Sequence, residues 1–320
     1  MTYTGVRRAA VATVACIVFA SAAATAVFFP WNTDSQADES MKTRDFYAKA
    51  YDTGQASTGR TAPSVIVPLS EKEQFYVDFA RKAAISFGVP EMMADFVKRF
   101  DLQNKKVLEV GAGSGLLQDS VADYTGLDIS PTARRFFHKP FVEASATAMP
   151  FPDSFFDALW SIWVLEHIPN PEMALMEIRR VVKPGGMILL RPAFSCSRYA
   201  AQGYAVRPYS DFGWKGKLTK ATARIVESWL FRRLYSQQVK MLRSFGARLG
   251  TGPSRLHFVR LTPNYDQYWM ADSDATTSLS FHELYLWFVT RGDRCVNCPS
   301  EARIVADGLP SDYLIIQVQK

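Results

Sequence analysis

Between Val107 and Ser130 the chain reads VLEVGAGSGLLQDSVADYTGLDIS, and its chemistry rests on two acids and three glycines. Glu109 stands two residues before Gly111, Gly113 and Gly115 follow at alternate positions, and Asp128 closes the next apolar run. Glycines let the backbone turn tightly and let a ligand approach the main chain. A dinucleotide fingerprint would read G-x-G-x-x-G with pyrophosphate at a helix N-terminus; here the third glycine position is Leu116. A carboxylate at the loop mouth repels pyrophosphate and attracts an ammonium or sulfonium group. A carboxylate at the tip of the second run accepts two hydrogen bonds from ribose hydroxyls. The ligand therefore has a ribose, carries positive charge and lacks a pyrophosphate. S-adenosylmethionine meets that description, and a dehydrogenase does not.

These residues need a scaffold that brings two strand tips together. KVLEVG reads as a short buried strand, GLLQDSVADY has helical spacing, and TGLDI is a second strand. PTARRFF is a short helix opened by proline; FVEA and FDALWSIW are strands three and four. PEMALMEIRRVV is a helix with proline at its first position, followed by the KPGG turn and a fifth strand, MILLRPA. Apolar strands alternating with amphipathic helices make a parallel sheet covered on both faces, with ligands at the carboxyl ends of its strands. Upstream, Ser70 and Glu73 form a capping box and Pro90 opens a further helix; both helices would cover the edge or mouth of the domain.

The stretch from about Lys105 to Arg191 resembles class I S-adenosylmethionine-dependent methyltransferases of the type 11 kind, through VLEVGAGSG, GLDIS, ATAMPFPDSFFDALWSIWVLEHIPNPEMALMEIRRVVKPGG and MILLRPA. The resemblance implies an α/β Rossmann-like fold: a seven-stranded, mostly parallel sheet with an antiparallel C-terminal hairpin, helices on both faces, and a helical lid insertion. It implies that Glu109 faces the methionine amino group, that Gly111 and Gly113 carry the loop under S-adenosyl-L-methionine, and that Asp128 holds the ribose. Ile129 would pack on the adenine, with Ser145 and Ala146 beside it. Ser145 stands where the family usually has an Asp, so a neutral hydrogen bond of about 0.5–1.5 kcal/mol replaces a charged one of about 1.5–3 kcal/mol. Glu166 and His167, on the loop after strand four, face the ligand. Either could act as a base in catalysis, although the position is often structural in the family. Trp160 and Trp163 are candidates for the acceptor pocket, but alternation along a buried strand puts at least one in the core.

After strand five comes an interruption, residues 194–280, with 13 Lys or Arg against 5 Asp or Glu and 14 aromatic residues. TKATARIVESWLFRRLYSQQVKMLRSF within it reads as one basic amphipathic helix. Its place above the sheet's carboxyl edge makes it an acceptor-selecting lid. A solvated basic face, an anionic small molecule or lipid head group, and single-stranded nucleic acid compete as explanations, nucleic acid being the weakest. Asp272 and Asp274 either cap the following helix or reach into the pocket. FHELYLWFVTRG is that helix, and EARIVADGLPSDYLIIQVQK reads as two closing strands joined at Gly308.

Three regions follow: an N-terminal hydrophobic segment (1–31), a polar tether (32–68) and a methyltransferase domain (69–320). Arg7 and Arg8 precede 21 uncharged residues, Ala9 to Phe29, long enough as a helix for a bilayer's hydrocarbon core. A single-pass membrane anchor is expected; a cleaved signal peptide and an organelle-targeting peptide are the alternatives. The charge flanks would place the domain on the non-cytoplasmic side, whereas S-adenosylmethionine is made in the cytosol; an inverted topology, a compartment that imports the cofactor and an organelle address stay open. With 21% charged residues the chain is neither a disordered polymer nor a polytopic membrane protein. Cys295 and Cys298 form a single C-x-x-C pair, too few ligands for zinc; loop thiols are expected, a local disulfide being the alternative. The function read from all this is in-line methyl transfer to a small-molecule or lipid acceptor, expected to be anionic. A non-catalytic, membrane-anchored S-adenosylmethionine-binding or scaffold protein and an RNA-directed methyltransferase are the alternatives. Oligomeric state is not encoded in any motif.

Overall fold

The computed structural model describes residues 37–50, 71–196, 208–226, 229–261, 274–306 and 311–320, with 11–13, 16, 20, 204 and 263. The elements are α1 (Ala37–Ala50), α2 (Glu71–Ser86), α3 (Val89–Arg99), β1 (Lys106–Val110), β2 (Asp123–Asp128), β3 (Phe141–Glu143), β4 (Phe156–Ile162), α4 (Pro171–Val181) and β5 (Val182–Arg191). Then follow α5 (Trp214–Val226), α6 (Trp229–Leu249), β6 (Val259–Arg260), β7 (Thr277–Ser278), α7 (Phe281–Val289), β8 (Arg294–Cys295), α8 (Glu301–Ala306) and β9 (Leu314–Gln317).

Seven strands form one sheet in the order β3-β2-β1-β4-β5-β9-β8. The five N-terminal strands run parallel, and β9 is antiparallel to both β5 and β8. Strand order reverses between β1 and β4, and in such sheets the crevice at that point takes the ligand. Period-two alternation sorts the core. Val107, Ala158, Trp160, Leu189 and Ile315 face Met93, Phe96 and Val97 of α3. Leu108, Leu159, Ile188 and Ile316 face Ala174, Leu175 and Ile178 of α4 and Leu284, Trp287 and Phe288 of α7. Trp160 is thus a core residue, as the alternation demands for one of the two tryptophans.

Four local expectations are corrected. Residues 111–122 form turns and no helix. Seven residues of helix from Leu116 to Ala122 would climb only about 10 Å, whereas the six residues of β2 span about 20 Å. The Gln118 side chain pins the turns instead, donating to the Phe136 carbonyl at 3.1 Å and accepting from the His138 N–H at 3.0 Å. Second, β9 does not pair with a strand at 301–306. Glu301–Ala306 is helix α8, which buries Ile304, and the closing partner of β9 is β8. Third, the basic stretch in the insertion forms two helices, α5 and α6. The tether region also contains α1, whose last carbonyls, of Tyr47 and Ala48, accept hydrogen bonds from Ser130 and Thr132 at 3.1 Å each. Cys295 and Cys298 are joined as a disulfide rather than left as thiols. The apolar run from Ala9 to Phe29 lies almost entirely outside the described residues; among those described, no helix is long and apolar enough to cross a membrane.

Candidate active site

Two cavities meet at the carboxyl ends of β1, β2 and β4, sharing Gly111, Gly113, Trp163 and His167. The smaller, about 130 Å³, is walled by Asp128, Ile129, Ser145, Ala146 and Thr147, and roofed by Thr43 and Tyr47 of α1. The larger, about 460 Å³, opens over Glu109, Glu166, Arg191, Phe194 and Asp274.

The glycine loop is shaped by close approach. Gly111 has φ 73° and Gly113 φ 49°, a region that side chains other than glycine's rarely adopt. A Cβ on Gly111 would stand 2.2 Å from Val164. Asp128 anchors the loop from beneath: one oxygen accepts from the Gly113 N–H at 2.8 Å, the other from the Ser130 N–H at 2.9 Å. An ionised carboxylate has about four lone-pair sites, so two remain for a diol. Holding the local turn and holding a ligand are therefore compatible for Asp128.

Glu109 lies across from Gly126 on β2 and Trp160 on β4. It is almost fully buried, and the Tyr124 hydroxyl donates to its Oε2 in a short hydrogen bond. Burial pushes its carboxyl up to about 8, against the lowering effect of Tyr124. Burial likewise raises Asp128, against the Ser130 and Gly113 N–H groups. Ser145 is tied into a turn: its Oγ lies 2.8 Å from Thr147 Oγ1 and accepts from the Thr147 N–H at 3.2 Å. Thr147 thereby brings a second hydroxyl to the same wall, one that no motif had flagged.

His167 stands between the cavities. Its Nδ1 lies 3.5 Å from Asp274 Oδ2 and its Nε2 3.8 Å from Glu166 Oε1. The Tyr47 hydroxyl donates to Asp274 Oδ2 at 2.6 Å, and its ring meets His167 edge-on at 5.9 Å. Asp274 is buried in the cavity wall and is not the helix cap. Ser280 caps α7 by accepting from the Glu283 N–H at 3.2 Å; Asp272 lies outside the described residues. Glu166 is fully buried, and its backbone carbonyl accepts from the Thr276 N–H at 2.9 Å. That bond fastens the insertion's return strand to the loop after β4. Tyr47 had no recognisable sequence signal beyond its type, and Asp274 was open between helix cap and pocket; 227 residues separate the pair.

The comparisons agree with this architecture. Residues 108–190 match the family described as a methyltransferase domain. This segment is a class I methyltransferase domain. Its cofactor is S-adenosylmethionine. The chain is 31% identical to a sterol 4-C-methyltransferase of Caenorhabditis elegans, over 30% of this chain and 34% of that one. It is 27% identical to a fatty-acid O-methyltransferase of Mycolicibacterium smegmatis, over 39% and 55%. With a ubiquinone biosynthesis O-methyltransferase of Dechloromonas aromatica it shares 36% identity over 28% and 44%. The chain thus spans about a third to a half of these relatives' lengths.

The side chains of the methyltransferase domain fit that cofactor. Asp128 keeps acceptor capacity at the smaller cavity, Glu109 offers a carboxylate to a cation, and the glycine loop leaves no room for a Cβ between them. Asp128, Ile129, Ser145 and Ala146 would hold the adenosine, and Glu109 with Gly111 and Gly113 the methionine arm.

Proposed function

We propose that the protein is an S-adenosylmethionine-dependent methyltransferase of a small-molecule or lipid acceptor, and that the acceptor presents a hydroxyl proton to His167. The observation carrying this reading is the position of His167, at the junction of the two cavities with Asp274 3.5 Å from Nδ1. The relatives named above act, by their names, on a sterol and a fatty acid or serve ubiquinone biosynthesis, which supports an apolar acceptor in the larger cavity.

S-adenosylmethionine supplies an electrophilic methyl group on a sulfonium. His167 would take the acceptor's proton through Nε2 as the oxygen attacks in line, and Asp274 would stabilise the imidazolium that results. Tyr47 fixes the Asp274 carboxylate, and the strained Trp163 backbone (φ 54°) directs Val164 onto Gly111. A positioned base contributes about 10²–10⁴-fold, and alignment in the cavity up to about 7–11 kcal/mol. The anionic acceptor expected from the sequence finds little support in the larger cavity: Glu166, Asp274 and Asp312 there oppose Arg81 and Arg191, and Arg191 is paired with Asp312. A neutral acceptor suits that balance better.

Membrane tethering through Ala9–Phe29 remains part of the proposal, with the domain on an oxidising side, a placement the Cys295–Cys298 disulfide supports. A second reading is cofactor binding without turnover. It is favoured by Ser145 in place of an acid and by the turns at 111–122, which leave no helix N-terminus beside the glycine loop. Calorimetry with S-adenosylmethionine, followed by transfer of labelled methyl into lipid and small-molecule extracts, separates the two. Transfer that is lost in His167→Ala supports the enzyme; tight binding with no transfer to any fraction supports the second reading. No binding at all sinks both.

A further inference from the structure

The described side chains of helix α6, from residue 237 on, are mounted with the polar face inward. Its body-facing side carries Lys240, Arg243 and Ser244, with Val239 the buried apolar residue beside them. Lys240 donates to the Ile304 carbonyl at 3.2 Å, Arg243 binds Glu283 of α7 through two bonds of 2.9 Å, and Ser244 pairs with the buried His282 at 2.9 Å. Arg248 adds an ion pair to Glu301 at 2.7 Å. Outward point Met241, Leu242, Phe245 and Leu249, each more than 60% exposed. At 100° per residue these four fall within an arc of about 100°, one continuous apolar stripe. A surface helix ordinarily turns such a stripe to the core. Here three polar contacts and an ion pair hold the opposite register.

The neighbouring helix has related chemistry. On α5, Trp214 is 73% and Leu218 58% exposed. Lys215 lies 5.6 Å from the Trp214 ring, and Lys220 lies 5.0 Å from the ring of Tyr209, which precedes the helix. From Trp214 to Leu249 the sequence has nine Lys or Arg and one Glu; Lys240, Arg243 and Arg248 are bound to the body, which leaves six cations against that one acid. A second copy of the chain would bring the same excess of positive charge against itself. A nucleic acid would use the charges but not the stripe. Apolar side chains that enter a bilayer's interface, flanked by lysines and an exposed tryptophan, match a surface of anionic lipid on both counts.

We propose that α6, together with α5, is a docking face for an anionic lipid surface. The proposal rests on this geometry and not on the methyl-transfer reading, nor on the apolar run Ala9–Phe29. The test uses the full chain in a Cys16→Ser background. Cys196 is buried and Cys295 and Cys298 are bonded, so an environment-sensitive dye attaches selectively at Phe245→Cys or, as a control, at the exposed Met176→Cys. Vesicles of phosphatidylcholine with phosphatidylglycerol should shift the emission at 245 to shorter wavelength and leave 176 unchanged, and salt should reverse the shift. Leu242→Ser with Leu249→Ser should weaken the partition roughly tenfold or more. Three results overturn the proposal. One is a chain that floats with vesicles while the 245 dye stays in water. Another is a shift that grows with protein concentration alone. The third is an equal response to phosphatidylcholine without the anionic lipid.

Discussion

The Tyr47 hydroxyl donates to the Asp274 carboxylate at 2.6 Å, joining α1 to the end of the insertion directly beside His167. In the proposed mechanism both residues act through His167, as positioning residues. Asp274→Asn keeps the shape but removes the charge that stabilises an imidazolium. It should lower kcat about tenfold while leaving S-adenosylmethionine affinity within about twofold, because what is lost is a nearby charge 3.5 Å from Nδ1 and not a hydrogen bond. Tyr47→Phe should lower kcat less, about three- to tenfold. His167→Ala should lose about a hundredfold or more. Steady-state kinetics with cofactor affinity measured in parallel distinguishes this from a structural role, which would move both.

Glu109 gives a pH signature. Its folded-state pKa of about 8 lies above the ordinary 4.5, so the folded chain holds the proton more tightly. Stability contributed below pH 4.5 is therefore lost as pH rises through about 8, by an amount on the order of a few kcal/mol. Glu109→Gln removes that slope, so its melting temperature should exceed the parent's near pH 8 and the gap should close towards pH 5. Cofactor affinity should show the opposite slope. An ammonium needs the ionised carboxylate, so binding strengthens by up to tenfold per pH unit up to about pH 8. It weakens beyond, where a free α-amino group loses its own proton. Titration calorimetry should show proton release on binding below that maximum. A flat profile would remove Glu109 from the amino-group role.

What the sequence made legible follows from the range of the interactions. Glu109, the glycines and Asp128 could be placed because each is fixed by its own strand tip and the turn beside it. The β-strands could be read because period-two burial is a local pattern, as Val107 and Leu108 on opposite faces illustrate. The missing helix after β1 was masked by Leu116, Leu117 and Val121, whose spacing is helical but whose span is too short. Tyr47 was out of reach, and Asp274 stayed open between cap and pocket, because a polar segment and an insertion converge only in three dimensions. The register of α6 was hidden for a related reason. Its apolar stripe reads as a core face, and only Glu283, His282 and the Ile304 carbonyl on other elements turn it outward.

The glycine loop should tolerate no side chain at Gly111. The positive φ alone costs about 1–2 kcal/mol for alanine, and the added Cβ would press on Val164 at 2.2 Å. Gly111→Ala should weaken S-adenosylmethionine binding by at least tenfold and lower the melting temperature. Val164→Ala in the same chain should restore part of the stability, because the clash eases while the backbone strain stays. Thermal shift with and without cofactor reads both effects. Full affinity in Gly111→Ala alone would mean that the loop does not lie under the ligand.

The Cys295–Cys298 disulfide secures the sheet's last edge. Between the two cysteines, Asn297 accepts from the Ile315 N–H at 2.7 Å and donates to the Tyr313 carbonyl at 3.1 Å, while the Val296 N–H donates to the Ile315 carbonyl at 2.7 Å. A two-residue strand has little pairing of its own, so the bond restricts how far this hook can open. Closing a loop of four residues is worth about 2 kcal/mol in the chain-entropy account. Cys295→Ser with Cys298→Ser should therefore lower the melting temperature by several degrees, roughly 4–8 °C at about 2–4 °C per kcal/mol for a domain of this size. Amide exchange should accelerate at Val296 and Ile315 before it does in β1 or β4, in the middle of the sheet. Alkylation followed by mass measurement should add two more groups after reduction than before it. If the count is the same without reductant, both thiols are free and this edge is held by Asn297 and the β8–β9 pairing without a disulfide.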